Sequence, residues 1–338
     1  MEDIIVVEDL RKTYGKSIVA VDGISFRVRK GEIFGFLGPN GAGKSTTIKI
    51  LITLLGKTSG KATIDKLDID ADQAKVRRII GYCSQEVGVD DDLTARENLM
   101  LQCSFHHIPK EKAKSKTEEL LQKVRLTEAA DRRLKTFSGG MRKRLDLASS
   151  LVSDPKILFL DEPTTGLDPQ SRQDIWEYVK ELNKSGMTIF LTTQYMEEAD
   201  RLAQRLCIVD QGKIVAEGTP AELKASVGAD KIRLWFKVDE IEACEKAAKA
   251  LSNLRGVDAV GKCIAGVTAD EGLEITAKNG SAVVTQVVRE LDKVGVSIEQ
   301  LKLTVPTLDE VFLKLTGKTL NVIERKEAVP TGRRRMRS

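Results

Sequence analysis

The sequence predicts an α/β fold, with a larger N-terminal domain followed by a smaller α+β domain. Short, almost continuously apolar runs such as residues 32–37 are typical of strands buried on both faces of a parallel sheet. One such run leads directly into a glycine-rich loop and an amphipathic helix. Beyond Gly228 the pattern changes to β-α-β-β-α-β, the order of a ferredoxin-like split unit. A chain of 338 residues has room for both domains.

The N-terminal domain is predicted to span residues 1–226, with a mixed sheet and a helical subdomain at about residues 90–150. Its predicted strands are residues 4–10, 24–28, 32–37, 156–160 and 187–192, followed by a hairpin at 207–217 that turns at Gln211-Gly212. Its predicted helices are residues 44–55, several helices within 94–135, 170–182 and 221–226. The spacing of apolar side chains supports each helix.

The second domain is predicted to span residues 227–317. Its strands are expected at 231–238, 257–264, 273–277 and 296–305, and its helices at 240–253, 281–294 and 307–315. Gly317 is a typical residue after a helix end. Residues 318–338 form a basic tail that we expect to be disordered, since residues 325–338 alone carry a net charge of +5. A weaker interpretation is attraction of the tail to an anionic membrane surface.

Composition excludes several function classes. The whole chain has a formal charge of +4, so the residues before the tail sum to about −1, which argues against a nucleic-acid-binding surface. No stretch approaches the roughly 18 apolar residues that would span a bilayer, and the N-terminus lacks a signal-peptide pattern. We therefore expect a cytoplasmic protein. The five cysteines form no Cys-x-x-Cys pair, so neither a disulfide framework nor a zinc site is indicated.

The strongest chemical motif follows the apolar run at residues 32–37. It fits Gly-x-x-x-x-Gly-Lys-Ser/Thr and consists of Gly38, Pro39, Asn40, Gly41, Ala42, Gly43, Lys44, Ser45 and Thr46. Its glycines let backbone N–H groups surround phosphates, and the following helix start favours anions. Lys44 is expected to neutralise β- and γ-phosphate oxygens, and Ser45 to offer its hydroxyl to Mg²⁺.

A second motif places two carboxylates at the end of an apolar strand, in residues 157–163. Asp161 suits the Mg²⁺ coordination shell, and Glu162 stands where a general base could polarise the attacking water. Without the phosphate loop, the simpler interpretation would be a strand that ends in a polar turn.

A third motif begins a helix at Ser138-Gly139-Gly140-Met141. It is a flexible helix start rich in N–H donors that could hold a γ-phosphate, although a simple N-cap would look the same. One phosphate site already exists in the chain. A second anion site is explained if two copies of the chain each complete the other's site.

Together these motifs resemble those of ATP-binding cassette (ABC) proteins, in the same order. The resemblance rests on residues 38–46, Gln85, residues 137–141, residues 157–163, Gly166-Leu167-Asp168-Pro169 and Thr192-Thr193-Gln194. Residues 191–200 and 306–312 are most similar to the ATPase subunit of daunorubicin-resistance-type drug exporters. The resemblance implies a P-loop NTPase fold, the cofactors ATP and Mg²⁺, and coupling of hydrolysis to transport.

Several residue roles are implied only by this resemblance. Tyr14 would stack on adenine, and Gln85 would contact Mg²⁺ or the attacking water. Ser138, Gly139 and Gly140 would cover the γ-phosphate of ATP bound to the opposite protomer, and Asp168 would link the two sites. Residues 86–98 would receive the coupling helix of an integral membrane permease, with about six membrane-spanning helices. The protein would then be a homodimer, peripheral on the cytoplasmic face of the membrane.

Two positions depart from the common family pattern. Met141 stands where many cassettes have glutamine, which weakens a side-chain role there. Gln194 stands where most cassettes have a switch histidine. An amide can still donate to the γ-phosphate and orient water, as a glutamine does in small GTPases, but it cannot titrate. We expect the site to be active, because Glu162 is present.

These features favour the first of three possible functions. The nucleotide-binding subunit of a membrane exporter fits the single cassette and the exporter-like segments. A soluble ABC protein that acts on DNA or ribosomes usually has two cassettes, coiled-coil insertions or zinc insertions, and none is present in the sequence. A metabolic P-loop kinase has no use for Ser138-Gly139-Gly140.

Overall fold

The computed structural model describes residues 2–15, 17–236, 241–263 and 272–317. The predicted basic tail, residues 318–338, lies outside the described residues. No helix in the described part of the chain is long and apolar enough to cross a membrane.

The predicted elements appear in the predicted order, together with strands at 59–64, 67–68 and 80–83 and helices at 73–79 and 196–202 that were not predicted. The strands are β1 (Asp3–Tyr14), β2 (Ile18–Arg29), β3 (Ile33–Leu37), β4 (Ser59–Ile64), β5 (Leu67–Asp68), β6 (Ile80–Cys83), β7 (Ile157–Asp161), β8 (Thr188–Thr193), β9 (Arg205–Asp210), β10 (Lys213–Gly218), β11 (Asp230–Phe236), β12 (Val257–Cys263), β13 (Gly272–Ala277) and β14 (Ile298–Thr304). The helices are α1 (Lys44–Leu51), α2 (Gln73–Ile79), α3 (Ala95–Phe105), α4 (Lys110–Lys123), α5 (Gly139–Ser150), α6 (Pro169–Lys184), α7 (Met196–Leu202), α8 (Pro220–Ala225), α9 (Ile241–Leu251), α10 (Gly280–Lys293) and α11 (Leu308–Thr316).

The predicted α/β class with a mixed sheet is confirmed. The central sheet has the order β10-β9-β3-β8-β7-β6, with β9, β3, β8, β7 and β6 parallel and β10 antiparallel. Every residue of β3, β7 and β8 is buried, which explains their continuous apolar sequences. A second, antiparallel sheet has the order β2-β1-β4-β5.

Alternate side chains of the central strands fill two different cores. Phe34 and Phe36 of β3 pack with Phe26 and Phe190 against the antiparallel sheet, with ring centroids 5.3 to 5.9 Å apart. Ile33, on the opposite face of the same strand, joins the core that is formed with the helices between residues 95 and 150. The central sheet is therefore covered on both faces, as a parallel sheet requires.

Two predicted helical stretches are shorter than expected. The helix that was predicted to reach residue 55 ends at Leu51, because Thr53 has a left-handed backbone with φ 63°. The N–H groups of Thr53 and Leu54 then bond back to the carbonyls of Ile50 and Lys49. Within residues 94–135, regular α-helix ends at Lys123 and two 3₁₀ turns follow.

The predicted β-α-β-β-α-β order is present in β11, α9, β12, β13, α10 and β14. The four strands form an antiparallel sheet in the order β12-β13-β11-β14, with an apolar core of its own. Assignment to the ferredoxin-like class stays a prediction. Helix α11, however, does not join this core. Its Leu308, Val311 and Phe312 pack instead with side chains of β3, α7 and β9, including Leu37 and Ala199.

Candidate active site at the edge of the parallel sheet

The site residues come from different strands that end at the same edge of the sheet. β3, β8, β7 and β6 are parallel neighbours, and their final residues lie side by side. Gly38 follows β3, Gln194 follows β8, Glu162 follows β7 and Gln85 follows β6. Parallel sheets bind ligands at this carboxyl edge. The topology therefore places these four sequence-predicted residues at one edge.

The loop at residues 38–43 depends on its glycines. Gly41 and Gly43 have φ of 80° and 97°, values that favour glycine. A Cβ atom at Gly38 would overlap the carbonyl oxygen of Val209, and one at Gly43 would overlap that of Ala20. The loop leads into α1 at Lys44, so the N-terminus of that helix lies directly behind it. A phosphate-binding loop needs this arrangement of free backbone and helix start.

Lys44 and Glu162 form a buried ion pair. The Lys44 amine lies 3.0 Å from a carboxylate oxygen of Glu162 and donates hydrogen bonds to the carbonyls of Gly38 (2.8 Å) and Pro39 (3.0 Å). Both side chains are at most 5% exposed. A buried ammonium needs such partners, and a nucleotide phosphate would compete with Glu162 for it. The pair therefore links the phosphate-binding amine directly to the candidate base.

Glu162 itself has an unusual backbone. Its φ is 47°, a left-handed value that costs roughly 1–3 kcal/mol for a residue other than glycine. Its N–H donates to the carbonyl of Thr192 at 3.1 Å and lies 3.2 Å from the Thr192 hydroxyl. The Thr165 hydroxyl donates to its carboxylate at 3.3 Å. These bonds hold the strained residue at the sheet edge, where strain is commonly found at active sites.

Ser45 and Asp161 form the candidate metal site. The Ser45 hydroxyl donates to the Asp161 carboxylate at 3.0 Å, and the Thr192 hydroxyl donates to the same oxygen at 2.6 Å. A hydroxyl and a carboxylate are oxygen donors of the type that Mg²⁺ prefers. No group of three or more His, Cys, Asp or Glu side chains in the described ranges could hold a metal. Mg²⁺ usually has few protein ligands and completes its shell with phosphates and water, so the donor set fits this ion.

Ser138 and Asp168 both begin helices, and the two helix starts are in contact. The Ser138 hydroxyl accepts the N–H of Met141 at 3.2 Å, and the Asp168 carboxylate accepts the N–H of Ser171 at 3.0 Å. Hydrogen bonds from Ser171 lower the pKa of Asp168. A Cβ atom at Gly140 would overlap the Ser171 side chain. The simple N-cap predicted as the alternative for Ser138 is thus present. Its role toward a partner's ATP stays a prediction.

The remaining predicted residues are accessible. Gln85 is exposed in the loop after β6, and Gln194 is half-buried after β8. Tyr14 is 40% exposed at the end of β1, with the Lys12 amine 5.2 Å from its ring centroid. An exposed aromatic ring can stack on a base. The specific roles of Tyr14, Gln85 and Gln194 stay predictions.

Sequence reasoning missed Glu198, which is buried beneath the site. One of its carboxylate oxygens accepts hydrogen bonds from the Thr164 hydroxyl (2.8 Å) and the Trp176 indole (2.9 Å). Burial raises its pKa. Through its bond to Thr164, Glu198 of α7 connects this helix to the segment that follows Glu162. Glu198 lies four residues before the apolar Leu202, and this helical spacing indicates that both side chains face the core.

Two family models match the chain. The model described as ABC transporter matches residues 21–165, which include the phosphate loop and Asp161-Glu162. The model for the C-terminal domain of DrrA1-3-like ATP-binding proteins matches residues 218–316.

Curated relatives align over 69–95% of the chain. A daunorubicin resistance ATP-binding protein, DrrA3 of Streptomyces coeruleorubidus, is 42% identical over 95% of this chain and 98% of its own length. The linearmycin resistance ATP-binding protein LnrL of Bacillus subtilis is 40% identical over 93% of this chain and 98% of its own length. A Nod factor export ATP-binding protein of Ralstonia nicotianae is 43% identical over 69% of this chain and 72% of its own.

Solved structures agree with the fold. CbiO1 of Clostridium perfringens, described as part of an ABC transporter complex, aligns with a TM-score of 0.63 at 27% identity, covering 67% of this chain and 92% of that one. The cassette MJ0796, described as a dimer in a post-hydrolysis state bound to ADP and Pi, aligns with a TM-score of 0.58 at 28% identity, covering 64% and 98%. On this evidence the chain belongs to the ATP-hydrolysing, ATP-binding subunits of ABC transporters, in the daunorubicin-resistance-type family.

Proposed function

We propose that this subunit hydrolyses MgATP as a head-to-tail homodimer and thereby drives a drug exporter. The Lys44–Glu162 contact carries the proposal, because it puts the phosphate-binding amine within 3.0 Å of the candidate base. A γ-phosphate bound by Lys44 would release Glu162 toward the attacking water. A buried ion pair and a left-handed backbone each cost free energy. Their combination at Glu162 is better explained by a chemical role than by a structural one.

Each site residue has a distinct task. Residues 38–46 hold the phosphates of ATP, and Tyr14 stacks on the adenine. Ser45, Asp161 and Gln85 hold Mg²⁺, which neutralises charge on the phosphates when bound. Glu162 polarises the water as general base, and Gln194 orients that water or donates to the γ-phosphate.

The dimer follows from the second helix start. Ser138 and Gly139 stand at the start of α5 and are exposed, so a partner could contact them. They are about 100 residues from the phosphate loop in sequence. A helix start of this kind can donate N–H groups to an anion. The partner's γ-phosphate would supply that anion, with Asp168 linking the two interfaces. The solved cassette MJ0796, which is described as dimeric, supports this arrangement.

The membrane partner would be a separate permease, and the subunit would lie peripherally on the cytoplasmic face. Leu54, Val87, Leu101 and Phe105 are large apolar side chains that are 38–65% exposed. Val87 lies within residues 86–98, which we propose to contact the coupling helix. The names of the relatives indicate antibiotics as the cargo class, and thus a role in antibiotic resistance. We propose no nucleic-acid partner.

For the C-terminal unit we propose a regulatory or dimer-stabilising role. Division of the chain into domains at 1–226 and 227–317 is supported by the separate core of β11–β14. Helix α11 complicates a deletion test, because removal of everything after residue 226 would also uncover Leu37 and Ala199. A deletion that joins residue 226 to α11 through a short linker separates the two effects. Unchanged assembly, ATPase rate and transport in that variant would contradict the proposed role.

The decisive experiment is Glu162→Gln. The amide keeps the shape of the side chain but cannot accept the water's proton, so we expect turnover to fall about 10²–10⁴-fold. ATP binding should remain, and the variant should form an ATP-dependent dimer in size-exclusion chromatography. Thr165→Ser, which keeps a hydroxyl near Glu162, is the matched control. Near-normal hydrolysis by Glu162→Gln would show that the base lies elsewhere.

A further inference from the structure

Two charged side chains of α5 are buried together. Lys143 and Asp146 are separated by one helical turn, and their side chains are only 4% and 9% exposed. The Lys143 amine lies 3.5 Å from the Asp146 carboxylate. A buried charged pair is costly unless further hydrogen bonds complete it. The partners that complete this pair are therefore informative.

Those partners all lie in or beside the loop that contains Gln85. The Lys143 amine donates to the Ser84 carbonyl at 2.6 Å. One oxygen of Asp146 accepts the N–H of Gly88 at 3.1 Å, and the other accepts the Cys83 thiol at 3.0 Å. The chain is thus held on both sides of Gln85, while Gln85 itself is exposed.

The same helix begins at Ser138. Lys143 lies five residues after Ser138 and Asp146 eight, on a regular helix that ends at Ser150. Any displacement of the helix start is therefore transmitted to the two side chains that hold the Gln85 loop. By contrast, the strand before this loop, β6, is anchored in the central sheet beside β7. The Gln85 loop therefore lies between β6, which belongs to the central sheet, and α5, whose two charged side chains hold it.

We propose that Lys143 and Asp146 are positioning residues that couple Gln85 to the helix of Ser138. This inference rests on the proposed function, in which Ser138 covers the partner's ATP while Gln85 serves its own protomer's ATP. The pair then joins the two nucleotide sites through one protomer. Closure at one interface moves Gln85 at the other, so the two sites bind and hydrolyse ATP cooperatively.

The test compares four variants of the full-length chain with the wild type. Lys143→Met removes the charge and the bond to Ser84, and Asp146→Ala removes the acceptor of Gly88. Lys143→Arg keeps a cationic donor. Ser149→Ala is the matched control on the same helix, because its buried hydroxyl has no hydrogen-bond partner. Each variant is assayed for kcat, KM for MgATP, the Hill coefficient, Tm, and amide hydrogen exchange of residues 84–88.

Positioning predicts a specific pattern. Lys143→Met and Asp146→Ala should lower kcat up to about 100-fold through misplacement of Gln85, with KM for MgATP within about twofold because Lys44 is untouched. Their Hill coefficients should fall toward 1. Exchange of the Gly88 amide should rise about tenfold in Asp146→Ala. Lys143→Arg should recover most of kcat, and Ser149→Ala should match the wild type.

Three results would overturn the proposal. The first is a parallel loss of Tm and of affinity for MgATP without a separate effect on kcat, which indicates packing alone. The second is unchanged cooperativity in both disruptive variants. The third is unchanged exchange at residues 84–88, a measurement that needs no turnover. Failure of the proposed head-to-tail dimer would appear instead as a Hill coefficient of 1 in the wild type and no ATP-dependent dimer of Glu162→Gln, so the two failures are distinguishable.

Discussion

The central sheet and the C-terminal sheet both carry polar and charged side chains but place them differently. In the central sheet, parallel strands bring Gly38, Asp161 and Gln194 to one edge, although they are far apart in sequence. In the antiparallel sheet β12-β13-β11-β14, neighbouring strands end at opposite edges. Its charged residues pair across the strands, as Glu274 does with Lys231 (2.9 Å) and Arg233 (2.8 Å). Strand direction therefore decides where charged side chains can form a site.

Helix α11 belongs to the C-terminal part of the chain but packs on the first domain. Leu308, Val311 and Phe312 fill a core with Met196 and Ala199 of α7, the helix that follows Gln194. These three side chains of α11 thus contribute apolar packing to the structure behind the site.

The largest expected effect is that of Lys44→Ala. Removal of the amine leaves Glu162 buried without its cation, and breaking a buried pair costs about 3–5 kcal/mol of stability. It also removes the phosphate-binding charge, so ATPase activity should fall by at least about 100-fold. Steady-state kinetics, nucleotide titration and thermal unfolding measure the three effects.

The matched control is Lys231→Ala in the C-terminal sheet. Lys231 also pairs with a glutamate, but its side chain is 47% exposed, and surface pairs contribute at most about 1 kcal/mol. ATPase activity should stay at the wild-type level. If both lysine variants lost ATPase activity equally, the assignment of the nucleotide site to the central sheet alone would be wrong.

The parts of the site that the sequence predicted are those that local pattern determines. The phosphate loop requires glycines at Gly41 and Gly43, and Asp161-Glu162 directly follows a buried apolar run, so both are visible in one segment. Lys143 and Asp146 were not predicted, because a charged helix residue usually faces solvent. Their burial results from contact with a loop about 60 residues earlier. The predicted helix at residues 307–315 was correct in kind, but its partner surface could not be inferred from its amphipathic pattern.

A second expected effect tests the contact of α11 directly. Phe312 is fully buried against the first domain, so Phe312→Ala should destabilise it by about 3–5 kcal/mol. The measurement is the Tm of thermal unfolding, with and without ATP; the rise in Tm on addition of ATP is called ATP protection below. Val287→Ala, in the separate core of the C-terminal sheet, should lower stability without loss of ATP protection. Leu313→Ala, on the exposed side of α11, should change stability by less than about 0.5 kcal/mol. Equal effects of Phe312→Ala and Leu313→Ala would refute the packing of α11.

A smaller effect is expected where the two helix starts of the site touch. A methyl group at Gly140 would overlap Ser171, so Gly140→Ala should cost about 1–3 kcal/mol of stability. Gly139→Ala is the control, since its added carbon would lie 3.6 Å from Leu167, an ordinary contact. Differential scanning calorimetry without nucleotide compares them. A Gly139→Ala variant as unstable as Gly140→Ala would mean that the helix starts are not in close contact.

The smallest effect is expected at Thr53, which follows α1 and has a strained backbone although it lies outside the nucleotide site. A β-branched residue with φ 63° costs about 1–2 kcal/mol relative to glycine, so Thr53→Gly should stabilise the chain by about 1 kcal/mol. Part of the gain is offset, because the Thr53 hydroxyl accepts a hydrogen bond from Arg77 at 2.9 Å. Thr53→Ala loses that bond but keeps the strained backbone, so it should not stabilise, as chemical denaturation can measure. Unchanged ATPase activity in a stabilised Thr53→Gly variant would show that the nucleotide site does not need the strain at Thr53, whereas a less stable Thr53→Gly variant would contradict the strain assigned to this residue.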